Sequence, residues 1–194
     1  MWMSKTNVIF CVVLAAVCVQ VVLGRDKTWN CNDQAHGHNT LSYKDHCYFL
    51  VKWNYTSWDS ATKSCRTQFG GRLAWLETQD LTTTMFTWLN EQCYSPMPPY
   101  ARWWVGLQQR DTSVEPAGGW FWVNADHSDS HPIDKNTPWL KSPAQPDNYP
   151  PNAQDCGSLT YLKDTSSYGL DDNYCGDGLA YICETFHQKK NIDD

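Results

Sequence analysis

Residues 145–149, with the sequence QPDNY, place an amide and a carboxylate on either side of Pro146. Oxygens of this kind are the ligands that calcium prefers, and a calcium ion takes about six to eight of them. Clusters of Pro, Asp and Asn are also typical of tight turns. The segment therefore predicts either a turn or part of a calcium site, and the choice depends on what the rest of the chain supplies.

A second group of carboxylates, Asp171, Asp172 and Asp177, lies in a predicted loop near the carboxyl end. Glycoside hydrolysis also uses two carboxyls, but these must face each other across the scissile bond. Adjacent carboxylates are better explained as calcium ligands. The sequence contains no GxSxG, HExxH or Gly-rich phosphate loop, so we predict a binding protein and not an enzyme.

The amino end has the pattern of a secretory signal peptide. Lys5 precedes an apolar run that ends at Gly24, a residue small enough for cleavage. The alternative, a retained membrane anchor, is disfavoured because the run is short for a span and no positive cluster follows it. We predict a signal peptide over residues 1–24 and a secreted, extracellular domain over residues 25–194 with no membrane span.

The whole chain has a net charge of −6 and no basic cluster larger than Lys189-Lys190. This balance excludes nucleic acid as a partner and disfavours anionic membranes. Seven cysteines follow the signal peptide: Cys31, Cys47, Cys65, Cys93, Cys156, Cys175 and Cys183. In an oxidising compartment such a set predicts disulfides, but spacing alone does not assign the pairs, and one thiol must be left over.

The predicted elements are two helices and several short strands. A capping Thr56 begins the first helix, which ends at Gly70-Gly71, and the second runs from Thr78 to about Asn90. Strands are predicted over 46–53, 103–107, 120–123, 157–162 and 179–184. Residues 124–155 form a long loop, which in a compact domain is usually functional or disordered. The fold class is α+β.

Together these segments resemble the C-type lectin-like domain over about residues 31–184. The signatures are W..A...C...GG.L from Trp58 to Leu73, WVGL at 104–107, W.W at 120–122, QPD at 145–147 and DCG at 155–157. The resemblance implies an α+β domain of two helices and antiparallel strands, with a long loop that carries a calcium site. It also implies three disulfides: Cys31–Cys47, Cys65–Cys183 and Cys156–Cys175. Cys93 is left either buried or free to link a homodimer.

The family's sugar-binding calcium site maps onto five residues of this chain: Gln145, Asp147, Gln154, Asp171 and Asp172. In members with this site the bond before the proline is cis. A sugar would contact Gln145, Asp147, Gln154 and Asp171, with Tyr149 stacked on its apolar face. The family therefore implies Ca²⁺ as cofactor and glycans on cells or microbes as partners.

The order of amide and acid in QPD is the one that the family associates with galactose-type sugars, including N-acetylgalactosamine. Gln154 and Asp171 depart from the usual Glu and Asn, and this exchange could restore mannose-type or broad specificity. Leu170 replaces the usual Trp. The rival hypotheses are a sugar-independent structural or matrix protein and a protein-binding domain of the same fold.

Two further predictions concern the surface and the core. Asn54-Tyr55-Thr56 is a sequon for N-glycosylation of an exported chain. Five tryptophans are assigned to the core: Trp53, Trp75, Trp88, Trp104 and Trp122. Trp139, beside the long loop, is the one suspected of contacting a ligand.

Overall fold

A computed structural model describes residues 31, 37–94, 96–126, 130–149 and 153–186, so the predicted signal peptide lies outside the described residues. The helices are α1 (Trp58–Phe69) and α2 (Gln79–Trp88). The strands are β1 (Asn39–Tyr43), β2 (His46–Thr56), β3 (Arg72–Leu73), β4 (Tyr100–Gln109), β5 (Trp120–Val123), β6 (Ser130–Pro132), β7 (Cys156–Leu162), β8 (Ser167–Asn173) and β9 (Leu179–Phe186). The α+β prediction is confirmed.

Helix α1 buries Trp58, Ala61 and Cys65, as their spacing predicts. Its N-cap is Ser57, whose side chain accepts a hydrogen bond from the Ser60 amide. The predicted cap, Thr56, is wrong by one residue because β2 extends through it. The helix ends where Gly70 adopts a left-handed φ of 64°.

Helix α2 begins after Thr78, whose hydroxyl accepts from the Leu81 amide at 3.2 Å. Its regular turns end at Trp88, and a π-helical turn over Leu89–Cys93 replaces the predicted last residues. The predicted start at Thr78 is confirmed within one residue, because Thr is a favourable residue at a helix N-terminus. The π turn has no comparable sequence signature.

The strands form one sheet in the order β1-β2-β9-β4-β5-β6, with β7 joined to β4 and then to β8. Strands β4 and β9 are parallel, and the other pairs are antiparallel. Strand β1 lies in a segment for which no strand was predicted. The predicted loop around Asp171 and Asp172 is likewise corrected, because both residues belong to β8 and pair with β7.

The three predicted disulfides are present: Cys31–Cys47, Cys65–Cys183 and Cys156–Cys175. The second bridge joins α1 to β9, and the third joins the start of β7 to the segment after β8. Bridges that close loops of this size are each worth about 2–4 kcal/mol.

Cys93 has a free thiol that is buried at the end of the π turn. Burial raises the pKa of this thiol to about 12, against a smaller opposite effect of Lys52. A protonated, buried thiol reacts slowly. The placement therefore favours the inert alternative, and a Cys93-linked homodimer stays a prediction.

The assignment of Trp53 to the core is wrong, since this side chain is 80% exposed. Strands β2 and β9 lose register between Val51 and Thr56, and the bulged segment turns Trp53 outward. Trp139, which was suspected of contacting a ligand, instead lies partly inside the domain. It is partly buried and packs edge-on against Trp120 with ring centroids 5.2 Å apart, so it supports the long loop from within.

Candidate functional site

The long loop is fastened to β8 immediately before the QPDNY segment. The Leu170 amide donates to the Pro138 carbonyl at 2.9 Å, and the Leu140 amide donates to the Leu170 carbonyl at 2.8 Å. The Gln145 amide then donates to the Leu140 carbonyl at 2.9 Å. These bonds fix the position from which residues 145–149 extend. The peptide bond between Gln145 and Pro146 is cis, as the resemblance implied.

The carboxylate of Asp172 is a second point on β8 to which the loop attaches. Its Oδ1 accepts from the Asp147 amide at 3.1 Å, and its Oδ2 accepts from the Asn148 amide at 2.6 Å. Asp172 is almost fully buried. Burial raises the pKa of its carboxyl, and the two backbone hydrogen bonds oppose that rise. This side chain therefore adds a second connection between β8 and the loop, beside the backbone bonds of Leu170.

The other predicted loop ligands converge on the same short stretch of backbone. The Asp147 amide also donates to Gln145 Oε1 at 3.0 Å. The Tyr149 amide donates to Asp147 Oδ1 at 3.1 Å and to Gln154 Oε1 at 3.0 Å. Side-chain oxygens from four predicted ligands thus surround the amides of residues 147–149. Such a set of hard oxygens fits the ligand preference of calcium.

Asn148 organises this loop, a role that was not predicted from the sequence. Its φ is 48° and its side chain is buried. Its Oδ1 accepts from the amides of Ala153 and Gln154 at 2.9 and 3.0 Å. This contact brings Gln154 back toward Asp147. Asn tolerates the left-handed conformation better than most residues, and that preference was the available signal.

Asp171 departs from the expectation that all five predicted ligands converge. It neighbours Asp172 on β8, and neighbouring strand residues point to opposite faces. Its Oδ2 accepts from Thr160 Oγ1 at 3.1 Å. Burial raises the pKa of Asp171 to about 6, while the Thr160 bond lowers it and Asp172 raises it further.

A chain of hydrogen bonds between buried side chains continues from Asp171 along the same face of β8. Ser158 Oγ lies 3.0 Å from Thr160 Oγ1 and accepts from Asn173 Nδ2 at 2.8 Å. Arg102 donates to Asn173 Oδ1 and, at 3.3 Å, to Asp177 Oδ2. No sequence motif indicates this network, because its residues lie on three strands: β4, β7 and β8.

Unpaired acidic oxygens are buried beside the long loop. Both carboxylate oxygens of Glu115, and Oδ1 of Asp155, have no hydrogen-bond partner among the described residues. Gln109 bonds to both segments, since its amide donates to the Asp155 carbonyl and its Nε2 donates to the Gly118 carbonyl, three residues after Glu115. Buried carboxylates without partners are costly, and a bound cation would remove that cost. This observation also fits a calcium-binding loop.

The loop presents one aromatic ring to solvent. Tyr149 is 76% exposed and is adjacent in sequence to the oxygen cluster. Within the described ranges, no three His, Cys, Asp or Glu side chains are close enough to form a metal group by themselves. The cluster instead combines the carboxylates of Asp147 and Asp172 with the amide oxygens of Gln145 and Gln154.

Residues 54–185 match the family model of the lectin C-type domain. The chain belongs to the C-type lectin domain family. The matched region contains α1, α2, the long loop and the strands that hold Asp171 and Asp172. Members of this family are generally binding proteins without enzymatic activity.

Three relatives illustrate how far this lectin domain resembles known proteins. The pancreatic beta cell growth factor of Mesocricetus auratus is 26% identical over 147 residues, which are 75% of this chain and 74% of the relative. The C-type lectin domain of murine dendritic cell inhibitory receptor 2, solved in complex with an N-glycan, superposes with a TM-score of 0.56 at 21% identity. The match covers 76% of this chain and 95% of that one.

Human lithostathine superposes with a TM-score of 0.53 at 21% identity, over 76% of this chain and 88% of lithostathine. At such identities the two superpositions establish the fold alone. Among the described residues, no helix is long and apolar enough to cross a membrane.

Proposed function

We propose that this lectin domain is secreted and binds terminal galactose or N-acetylgalactosamine-type sugars through calcium. The observation that carries the proposal is the convergence of oxygens from Gln145, Asp147, Gln154 and Asp172 on the amides of residues 147–149. Bound calcium would supply the charge that holds these oxygens together and two coordination positions for sugar hydroxyls. Asp171 would be a fifth ligand only after leaving Thr160.

Each residue of the cluster has a role that its chemistry supports. Gln145 offers an amide and Asp147 a carboxylate, so one sugar hydroxyl can accept from the first while another donates to the second. Tyr149 provides an exposed flat surface for the apolar face of the sugar. Asn148 and Asp172 hold the loop in the conformation that brings these groups together.

Immobilised galactose and immobilised mannose, used side by side in calcium buffer, test this function. We expect retention on galactose, release by a chelator, and better competition by free galactose than by mannose. Asp147→Ala should abolish retention, while Asp164→Ala, in the exposed turn between β7 and β8, should preserve it.

The other results discriminate the rival functions. If the protein is retained on mannose alone and a chelator releases it, the ligand is a mannose-type sugar. The specificity would then be assigned to the exchange at Gln154 and Asp171. Flow-through on both resins, together with calcium-dependent thermal stability, would favour a sugar-independent structural protein.

A further inference from the structure

The bulged end of β2 sends successive side chains to opposite sides of the strand. Asn54 Nδ2 donates to the Tyr181 hydroxyl at 3.3 Å, and that hydroxyl lies 2.7 Å from Ser64 Oγ on α1. Asn54 therefore faces α1. The side chains of Trp53 and Tyr55 leave the strand on the other side, because neighbouring residues of a strand alternate.

The chain that follows the π turn lies on this other side, and Lys52 ties it to the strand. The Lys52 ammonium group lies 4.9 Å from the centre of the Trp53 ring and 4.0 Å from that of the Tyr94 ring. It also donates to the Cys93 carbonyl at 2.5 Å. A cation held over an aromatic ring attracts the face of that ring, so Lys52 orients Trp53.

Tyr55 lies near the same ring of Tyr94. Burial raises the pKa of the Tyr94 hydroxyl, the hydrogen bond from Trp103 lowers it, and the neighbouring Tyr55 raises it. One charged and three aromatic side chains are therefore grouped at this place. We call this group the aromatic patch; its members are Lys52, Trp53, Tyr55 and Tyr94.

Two rings of the aromatic patch are largely in solvent. Trp53 is 80% exposed and Tyr55 is 61% exposed. Exposed apolar groups that lie together mark a contact surface. Because Lys52 already orients Trp53, the ring loses little freedom when a ligand covers its outer face, and that saving favours binding.

The size and chemistry of the aromatic patch indicate what covers it. Complete burial of two aromatic side chains removes at most about 300–500 Å² from water. A specific protein interface buries about 800 Å² on each partner, so the exposed rings are too few for a stable dimer. The patch combines flat apolar faces with hydroxyl and ammonium donors. A pyranose sugar has the matching surface, an apolar face of CH groups with hydroxyls around its edge.

We propose that the aromatic patch is a second binding site, which stacks a chain of β-linked pyranose sugars on Trp53 and Tyr55 without calcium. Alternate residues of a strand are about 7 Å apart, so adjacent sugars of one chain can each contact a ring. None of the four residues of the patch is acidic, and the site therefore needs no metal ion. The proposal does not rest on sugar binding by the loop cluster.

Calorimetric titration of the full secreted chain, in the presence of a chelator, tests this site. The probes are β-1,4-linked tetramers of glucose and of N-acetylglucosamine. We expect the wild type to bind at least one of them, and Trp53→Ala to bind it about tenfold more weakly. Trp53→Tyr keeps a flat ring and should stay within about threefold of the wild type. Tyr100→Ala removes a ring of β4 that is 52% exposed and lies outside the patch, so its affinity should be unchanged.

Absence of binding to both tetramers by the wild type would overturn the proposal, and so would an unchanged affinity in Trp53→Ala. Trp53→Ala should unfold at the temperature of the wild type because the ring is exposed, so its weaker binding is not a folding defect. A dimer in solution that Trp53→Ser dissociates would assign the patch to a second copy of the chain instead.

Two variants separate this site from the loop cluster. Asp147→Ala lacks a carboxylate of the loop and should still bind the tetramer in chelator; loss of that binding would place the tetramer on the loop and overturn the proposal. Trp53→Ala should still be retained on galactose resin in calcium buffer. Failure of the wild type on that resin would count against the proposed function and not against the aromatic patch.

Discussion

Asp171 and Asp172 are neighbours with the same side chain, yet they face different parts of the molecule. Asp172 accepts two backbone amides of the QPDNY loop, while Asp171 accepts the Thr160 hydroxyl on the other face of β8. The first orders the loop, and the second belongs to a network between strands. Two carboxylates that are adjacent in a strand therefore lie in separate environments, because neighbouring side chains point to opposite faces of the sheet.

The largest expected effect is on the free energy of unfolding as the pH changes, in the presence of a chelator. Asp171 is the expected cause. The pKa of its carboxyl rises from 3.8 to about 6 on folding, chiefly through burial. The folded state then binds the proton more tightly, so this stabilisation is complete below about pH 4 and is lost as the pH rises through 6. Two pKa units correspond to about 3 kcal/mol.

Urea unfolding at several pH values, in calcium-free buffer, measures this effect. Asp171→Asn should reduce the fall in the free energy of unfolding between pH 4 and 6, and Asp164→Asn should leave it unchanged. An unchanged slope in Asp171→Asn would mean that Asp171 is not buried as described.

The next effect concerns calcium affinity, in which the two carboxylates should differ. Asp172→Asn removes the charge that orders the loop and places an NH₂ group against backbone donors. We expect calcium binding about 100-fold weaker, equivalent to about 2.7 kcal/mol. Asp171→Asn should cost less than about tenfold, because its side chain lies on the other face. Calorimetric titration with calcium measures the affinity of the two variants. Equal losses of affinity would contradict the difference inferred between Asp171 and Asp172.

The contribution of the loop itself can be separated with Asn148. Asn148→Ala leaves the amides of Ala153 and Gln154 without their acceptor. Losing these two bonds should destabilise the protein by about 2 kcal/mol. Asn148→Asp, which keeps an acceptor oxygen, should recover most of the loss. Chemical unfolding of the three proteins provides the measurement; a normal midpoint for the alanine variant would contradict the organising role.

Tyr149 should give the smallest effect. Tyr149→Ala removes an exposed ring and should change the free energy of unfolding by less than about 0.5 kcal/mol. Galactose affinity should fall about tenfold, or about 1.4 kcal/mol, because the ring is proposed to contact the sugar. Tyr149→Phe keeps the flat surface and serves as the control. The measurement is the affinity for galactose in a competition assay. An unchanged affinity of Tyr149→Ala would exclude stacking of the ring on the sugar.

The sequence by itself predicted the features that depend on local signals. These are the start of α2 at Thr78, the end of α1 at Gly70 and the helical spacing of Trp58, Ala61 and Cys65. Each is set within one or two turns. The sequence signatures, in their order along the chain, identified the family. The family resemblance then predicted the three disulfides and the cis bond before Pro146. The convergence of Gln145, Asp147, Gln154 and Asp172 also followed the family pattern, while their binding of calcium stays a prediction.

The tertiary structure decided what depends on pairing between distant segments. Trp53 is exposed because β2 and β9 lose register, and Asp171 turns from the loop because β8 pairs regularly with β7. The network from Arg102 to Asp171 needs three strands to be aligned before its members meet. Strand register is a non-local property, and a shift of one residue reverses the face of every side chain. No local motif could have reported it.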